Sequence, residues 1–216
     1  MLVRNWMTSK VVTVSPKASI VEAKRLMKEN GIRRLPVVDG SRLVGIVSDR
    51  DLREFIPSGG TSFDIHEIHY LLAKTPVAEI MTAEVITIGP EATVGRAARI
   101  LKDRKIGGIP VVEDDRLVGI ITVKDVLASF VEALGLNEEG ARLRIEVKDH
   151  AGDLAEITRL VADEGGLIIS MISYLEHDKP DTRNLVLRIR PENAKGIAQT
   201  LRDKGFTVSL REEPKL

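Results

Sequence analysis

"RLVGIVSDRDL" occupies residues 42–52 of this chain, and "RLVGIITVKDV" occupies residues 116–126. Sliding the sequence along itself extends the match without a gap. Residues 3–52 align with 77–126 at an offset of 74. There are about 20 identities, and the apolar positions are mostly kept apolar. A match of this length makes the first 134 residues or so two copies of one structural unit.

Each copy carries the same order of local signals. Residues 11–14 read as a short extended piece ending near Pro16. Ser19 followed three positions later by Glu22 is a capping-box pattern and predicts a helix start. Ile20, Ala23 and Met27 then fall on one helical face, as do Val94, Ala97 and Leu101. Gly31 suits a left-handed C-cap. Next, two β-branched runs flank Asp39-Gly40, which predicts a hairpin. The second copy has "EDDR" at that place, so its turn must be of another type. A further helix opens near Asp49 and at Val123. The unit is β-α-β-β-α, and about 50 residues bury too little to stand alone. Packing of the two copies through their sheets, with pseudo-twofold symmetry, is the expectation. "PSGGTSFDIHEIHYLLAKTP" between them reads as a Gly-rich loop and a short helix.

After Leu136 the pattern changes. "GLNEEG" reads as a linker. "ARLRIEV" alternates as a strand. "GDLAEITRLVADEGG" is an amphipathic helix with Leu154, Ile157, Leu160 and Val161 on one side. "LIISMISYLE" and "RNLVLRIRP" are strands around a turn "HDKPDT". "ENAKGIAQTLRDKG" is a helix, and "FTVSL" a last strand. The order β-α-β-β-α-β is that of a ferredoxin-like domain. The fold class is therefore α+β.

Composition excludes several functions. The formal net charge is zero, and only 3% of residues are aromatic. Neither nucleic acid nor an anionic membrane is an expected partner. No cysteine is present, which removes disulfides, thiolate catalysis and zinc–sulfur sites. The N-terminus has no apolar signal core, and no apolar run approaches membrane-spanning length. A soluble, cytoplasmic protein is expected. His66 and His69 share a helical face, but two ligands do not make a metal centre; they read as an exposed linker pair. His177 has no evident partner. Trp6 reads as a core or dimer anchor.

The doubled motif admits two readings. Ser48 and Asp51 lie three apart at a strand-to-helix junction, as do Thr122 and Asp125. Such a pair serves as a helix cap. The same geometry lets a carboxylate accept both hydroxyls of a ribose, with the neighbouring hydroxyl free to bond ribose or phosphate. On that second reading Gly45 lets a ligand approach the strand backbone.

The motifs "MTSKVVTVSP", "GIRRLPVVDGSRLVGIVSDRDL", "IMTAEVITIGP" and "KIGGIPVVEDDRLVGIITVKDV" resemble tandem CBS domains (a Bateman module). "VKDHAGDLAEIT" resembles the first loop and helix of an ACT domain, although Ala151 stands where proline is common. The order CBS-CBS-ACT resembles the acetoin-utilisation (AcuB) type of bacterial protein. The resemblance implies these bounds: residues 1–60 and 76–134 as CBS repeats, 61–75 and 135–140 as linkers, and 141–216 as the ACT-like domain.

It also implies an adenosine ligand in two clefts between the repeats: AMP, ADP, ATP, S-adenosylmethionine or an adenine dinucleotide. Asp51 and Asp125 would hold ribose, beside Ser48 and Thr122. The base would lie against Val12-Thr13 and Ile86-Thr87, and touch Ile32-Arg33-Arg34 and Ile106-Gly107-Gly108. Arg33 and Arg34 can bind phosphate bidentately, whereas Gly107 and Gly108 offer backbone and room, so inequivalent sites are expected unless the arginines simply face solvent. The ACT resemblance implies an amino-acid effector at Asp149, Gly152, Asp153 and Leu154, or dimerisation alone.

No nucleophile–base set, phosphate loop or metal cluster stands out. A regulatory ligand-sensing protein is the leading reading, a homodimer acting on a partner protein and not an enzyme. A structural subunit with vacant sites is the alternative, ahead of a nucleotide-dependent enzyme.

Overall fold

The computed structural model describes residues 1–55, 65–148, 150, 152–176 and 179–213. They divide into two compact units, residues 1–127 and 128–216.

In the first unit the two copies fold alike. Helix α1 (Ile20–Glu29) starts where the Ser19 hydroxyl accepts from the Glu22 amide, 3.2 Å away. Its counterpart α4 (Val94–Asp103) is capped by Thr93 in the same way, the Arg96 amide donating over 3.1 Å. Each hydroxyl satisfies one of the donors a helix start leaves orphaned. The expected apolar faces are the buried ones: Ile20, Ala23 and Met27 in α1, and Val94, Ala97 and Leu101 in α4. Gly31 closes α1 at φ +63°, with the Ile32 amide donating to Met27 and the Gly31 amide to Lys28. That pair of bonds is a Schellman cap. Lys105 takes the left-handed position in the second copy, at φ +53°.

Two hairpins follow, β1 (Arg34–Asp39) with β2 (Arg42–Ser48), and β3 (Gly108–Glu113) with β4 (Arg116–Thr122). Their turns differ, as expected from the sequence. Gly40 alone is left-handed in the first, at φ +62°, whereas Asp114 and Asp115 are both left-handed in the second, at +49° and +61°. One positive φ at the first loop position fits a type II′ turn, and two fit type I′. Helices α2 (Asp49–Phe55) and α5 (Val123–Ala133) begin directly after β2 and β4, and α3 (Ile65–Lys74) lies between the copies. The Gly-rich part of the connection lies outside the described residues, as do the side chains of His66 and His69.

The hairpins join into one sheet of order β1-β2-β4-β3, with β2 and β4 meeting at Arg42 and Arg116. The expected first strand of each copy is only a single parallel bridge, Val14 to Val37 and Ile88 to Val111. Pro16 and Pro90 follow within two residues, and proline offers no amide to lengthen such a ladder.

The leading segments cross over. The Val3 amide donates to Ala92, 2.8 Å away, and Thr8 and Ile120 exchange both backbone bonds. Val3 is fully buried in the core of the second repeat, beside Val94, Ala97 and Ile109, with Trp6 and Met7 packed against it. Val77, Ile80 and Met81 enter the core of the first repeat, with Leu35, Val37 and Leu52. Trp6 is thus partly buried against this core. Burying one such aliphatic side chain contributes roughly 1.5–3 kcal/mol, so each leading segment helps hold the opposite repeat.

The crossing corrects one expectation. Gly45 does not leave its strand open to a ligand. A Cβ there would lie 2.9 Å from Cγ of Met81, and one on Gly119 would lie 3.0 Å from Cγ of Met7. The glycines make room for the crossing methionines.

The second unit contains β5 (Gly140–Val147), α6 (Asp153–Asp163), β6 (Ile168–Glu176), β7 (Lys179–Ile189), α7 (Ala194–Asp203) and β8 (Thr207–Glu213). The sheet order is β6-β7-β5-β8, and every pair is antiparallel. This is the ferredoxin-like arrangement. Leu143, Ile145, Leu187 and Ile189 face Ile157, Val161, Ile197 and Leu201 in one core. Two details differ from the sequence reading. Lys179 to Thr182 belong to β7, because strand β6 continues to pair through Glu176 with Lys179. Leu154 stays 41% exposed, since it stands in the first turn of α6, ahead of the stripe that reaches the sheet. His177 lies outside the described residues.

Candidate nucleotide clefts

Two clefts open between the repeats, and each draws on both. The first, of about 380 Å³, is lined by Ser48 and Asp51 from one repeat and by Val85, Ile86, Ile106 and Gly108 from the other. The second, of about 740 Å³, joins Thr122 and Asp125 to Val11, Val12 and Ile32. Ile46 and Pro110 line the first, and their equivalents Ile120 and Pro36 the second. An apolar slot beside a polar junction suits a flat, partly apolar base joined to a hydroxylated sugar.

The polar junctions are the same in both. Oδ2 of Asp51 accepts from the amide and from the hydroxyl of Ser48, each at 2.7 Å. The Asp51 amide stands 3.4 Å from the Ser48 hydroxyl. Thr122 and Asp125 repeat all three distances. The helix-cap reading is therefore correct, but it consumes one carboxylate oxygen. Among the described residues nothing bonds Oδ1 of either aspartate. Capping leaves one oxygen of a cleft-lining carboxylate unbonded, so the two readings of the motif are compatible.

Most of the expected residues line a cleft: Val12, Ile32, Thr122 and Asp125 in the second, and Ser48, Asp51, Ile86, Ile106 and Gly108 in the first. Thr13 and Thr87 line neither. In each segment the two residues before the threonine line the cleft instead, Val11 with Val12 and Val85 with Ile86. Sequence reasoning missed Thr8 and Thr82, Val11 and Val85, Ile46 and Ile120, and Pro36 and Pro110. A signal was present, for each of these pairs obeys the 74-residue offset.

The contrast between Arg33-Arg34 and Gly107-Gly108 does not separate the clefts as expected. Arg33, Arg34 and Gly107 line both, because the two pre-strand segments meet where the repeats face each other. The clefts differ elsewhere. Lys10 lines the second and its equivalent Glu84 the first. The second holds Lys10, Arg33, Arg34 and Lys124 against Asp125 alone; the first has Asp49, Asp51 and Glu84 to offset its cations. Arg34 is half-buried, and desolvation, then the neighbouring charges of Arg33 and Arg50, lower its pKa from the usual arginine value. It remains a cation, and one that an anion would relieve.

In the second unit, Gly152 precedes α6 at φ +106° with no side-chain cap. Oδ2 of Asp153 accepts from the His150 amide at 3.1 Å, closing that loop. Leu154 follows it, half-exposed. Asp149, the other expected effector residue, and Ala151 lie outside the described residues.

The CBS domain family matches residues 3–58 and 77–132, and the TTHA0829-like ACT domain matches residues 139–210. The chain belongs to the CBS-domain family, as a tandem pair followed by an ACT domain. Both kinds of domain are regulatory modules.

A protein of Vibrio cholerae assigned to acetoin utilization (AcuB) is similar in structure, with a TM-score of 0.54 and 34% identity over 63% of this chain and 94% of its own. The CBS pair of protein MJ0100, solved in complex with 5-methylthioadenosine and S-adenosyl-L-methionine, has a TM-score of 0.50 and 30% identity over 60% of this chain and 95% of its own. CBSX2, solved in complex with AMP, has a TM-score of 0.50 and 31% identity over 60% of this chain and 96% of its own. An inosine-5'-monophosphate dehydrogenase of Korarchaeum cryptofilum is 41% identical over 62% of this chain, which spans 25% of that enzyme. No helix among the described residues is long and apolar enough to cross a membrane.

Proposed function

We propose that this chain is a regulatory sensor of adenosine-type ligands, bound in both clefts of its CBS pair. The observation that carries the reading is that Asp51 and Asp125, each tied through Oδ2 to its strand-to-helix junction, line partly apolar clefts while Oδ1 has no bond among the described residues. A ribose diol offers two donors to such an acceptor. Val12 with Ile32, and Ile86 with Ile106, supply the slot for adenine. Arg33 and Arg34 lie at the phosphate end. The complexes of MJ0100 and CBSX2 with 5-methylthioadenosine, S-adenosyl-L-methionine and AMP support the ligand class.

The chemistry described is binding alone. The chain's output would be a change in a partner protein or in its own assembly. The ACT domain would add a second input, an amino acid at the loop before α6. Asp153 there would favour a ligand carrying an amine as well as a carboxylate.

A thermal-shift panel of adenosine, AMP, ADP, ATP, S-adenosylmethionine, an adenine dinucleotide and amino acids tests this. A ligand of the native state raises its stability by mass action. Asp51→Ala and Asp125→Ala should each weaken one site, by about 1.5–3 kcal/mol for a lost charged acceptor. If the double variant binds adenosine as the parent does, the assignment is wrong.

A further inference from the structure

We propose that Arg34 is one cation shared by the two clefts, so that a phosphorylated ligand in one weakens phosphate binding in the other. The inference rests on the adenosine reading of the clefts given above. Its basis is the contact between Arg34 and Gly107, both of which line both clefts.

Repeat symmetry would put a second arginine at Gly108 and a third at Gly107. Neither fits. A Cβ on Gly107 would lie 2.6 Å from Cζ of Arg34, and one on Gly108 would lie 3.2 Å from its Cδ. Real side-chain carbons do not approach other atoms so closely as the first distance. The paired glycines are the space that the Arg34 side chain occupies. Arg33 also lines both clefts but is exposed, so Arg34 is the half-buried cation between them.

That guanidinium is poised for an anion. It is half-buried, and among the described residues no carboxylate lies within ion-pair distance of it. Its charged neighbours are Arg33 and Arg50, which repel it. A phosphate arriving in either cleft offers bidentate bonding. Donors turned to one cleft are then lost to the other. A ligand without phosphate makes no such demand, so adenosine should bind the two clefts independently.

Titration calorimetry on the full chain tests this with adenosine and AMP. Asp51→Ala leaves the Thr122–Asp125 cleft as the working site, and Asp125→Ala leaves the other. Adenosine binding to the parent should equal the sum of the two single-site variants. AMP should depart from that sum, its second equivalent binding about tenfold more weakly than the single-site affinities require. Arg34→Ala should abolish the departure. Arg34→Gln, which keeps most of the volume packed on Gly107, should do the same. A parent AMP isotherm equal to the sum, or a departure that survives both Arg34 variants, overturns the sharing. Adenosine that fails to bind, or binds both aspartate variants as it binds the parent, overturns the underlying site assignment instead.

Discussion

Met7 lies against the bare Cα of Gly119, and Met81 lies in the same way against Gly45. A Cβ on Gly119 would stand 3.0 Å from Cγ of Met7 and 3.2 Å from its Cε. Each methionine arrives from the leading segment of the opposite repeat. The glycine in "LVGI" therefore marks where that segment crosses the sheet.

Gly119→Ala should destabilise the CBS pair by about 1–3 kcal/mol, the usual cost of overpacking a filled site. Met7→Ala in the same chain should recover part of that loss by making room. Chemical denaturation of both single variants and the double one measures the coupling. Additive effects would mean that the two side chains do not compete for one space.

Lys10 and Glu84 should set how the clefts rank a phosphorylated ligand. Both are exposed, so each charge contributes about 0.2–1 kcal/mol. Lys10→Glu should weaken AMP at the Thr122–Asp125 cleft by up to about fivefold, leaving adenosine unchanged. Glu84→Lys should strengthen AMP at the Ser48–Asp51 cleft by a similar factor. Calorimetry at two salt concentrations checks both, because the differences should shrink as ionic strength rises.

Gly31→Ala should cost about 1–2 kcal/mol through backbone strain, since φ +63° disfavours any residue with a Cβ. Nothing lies within 4 Å of the added carbon, so crowding contributes nothing. Lys105→Gly at the equivalent position should stabilise the second repeat by the same mechanism. Thermal unfolding of the two variants should move in opposite directions.

The ACT domain should pair two copies of the chain along strand β6. This strand is at the sheet edge, and Met171, Ile172, Tyr174 and Leu175 on it are exposed. An apolar strand edge with unpaired backbone groups invites another strand. Light scattering across micromolar concentrations should report a dimer or larger even oligomer, and Ile172→Lys should shift it toward monomer. A parent monomer throughout would refute the pairing.

Much of this was legible before any coordinates. The capping residue Ser19, the left-handed Gly31, the differing turns and the S/T-x-x-D pairs all act over three or four residues. Their signals lie within such spans, and local sterics and hydrogen bonding decide them. The 74-residue offset also revealed the duplication, and alternation of apolar positions revealed the ferredoxin-like order. What stayed hidden depends on residues far apart in the chain. Val3 is apolar, and apolar burial is non-directional, so nothing local to it names the repeat whose core it enters. Only the packed structure carries Val3 and Met7 into the second repeat and Val77 and Met81 into the first. For the same reason the partner of Asp51 across its cleft, Ile86 rather than Val12, was beyond the sequence. Arg33-Arg34 and Gly107-Gly108 read as a difference between two sites; in three dimensions they are neighbours, because the packing of the two repeats lays the Arg34 side chain over both glycines.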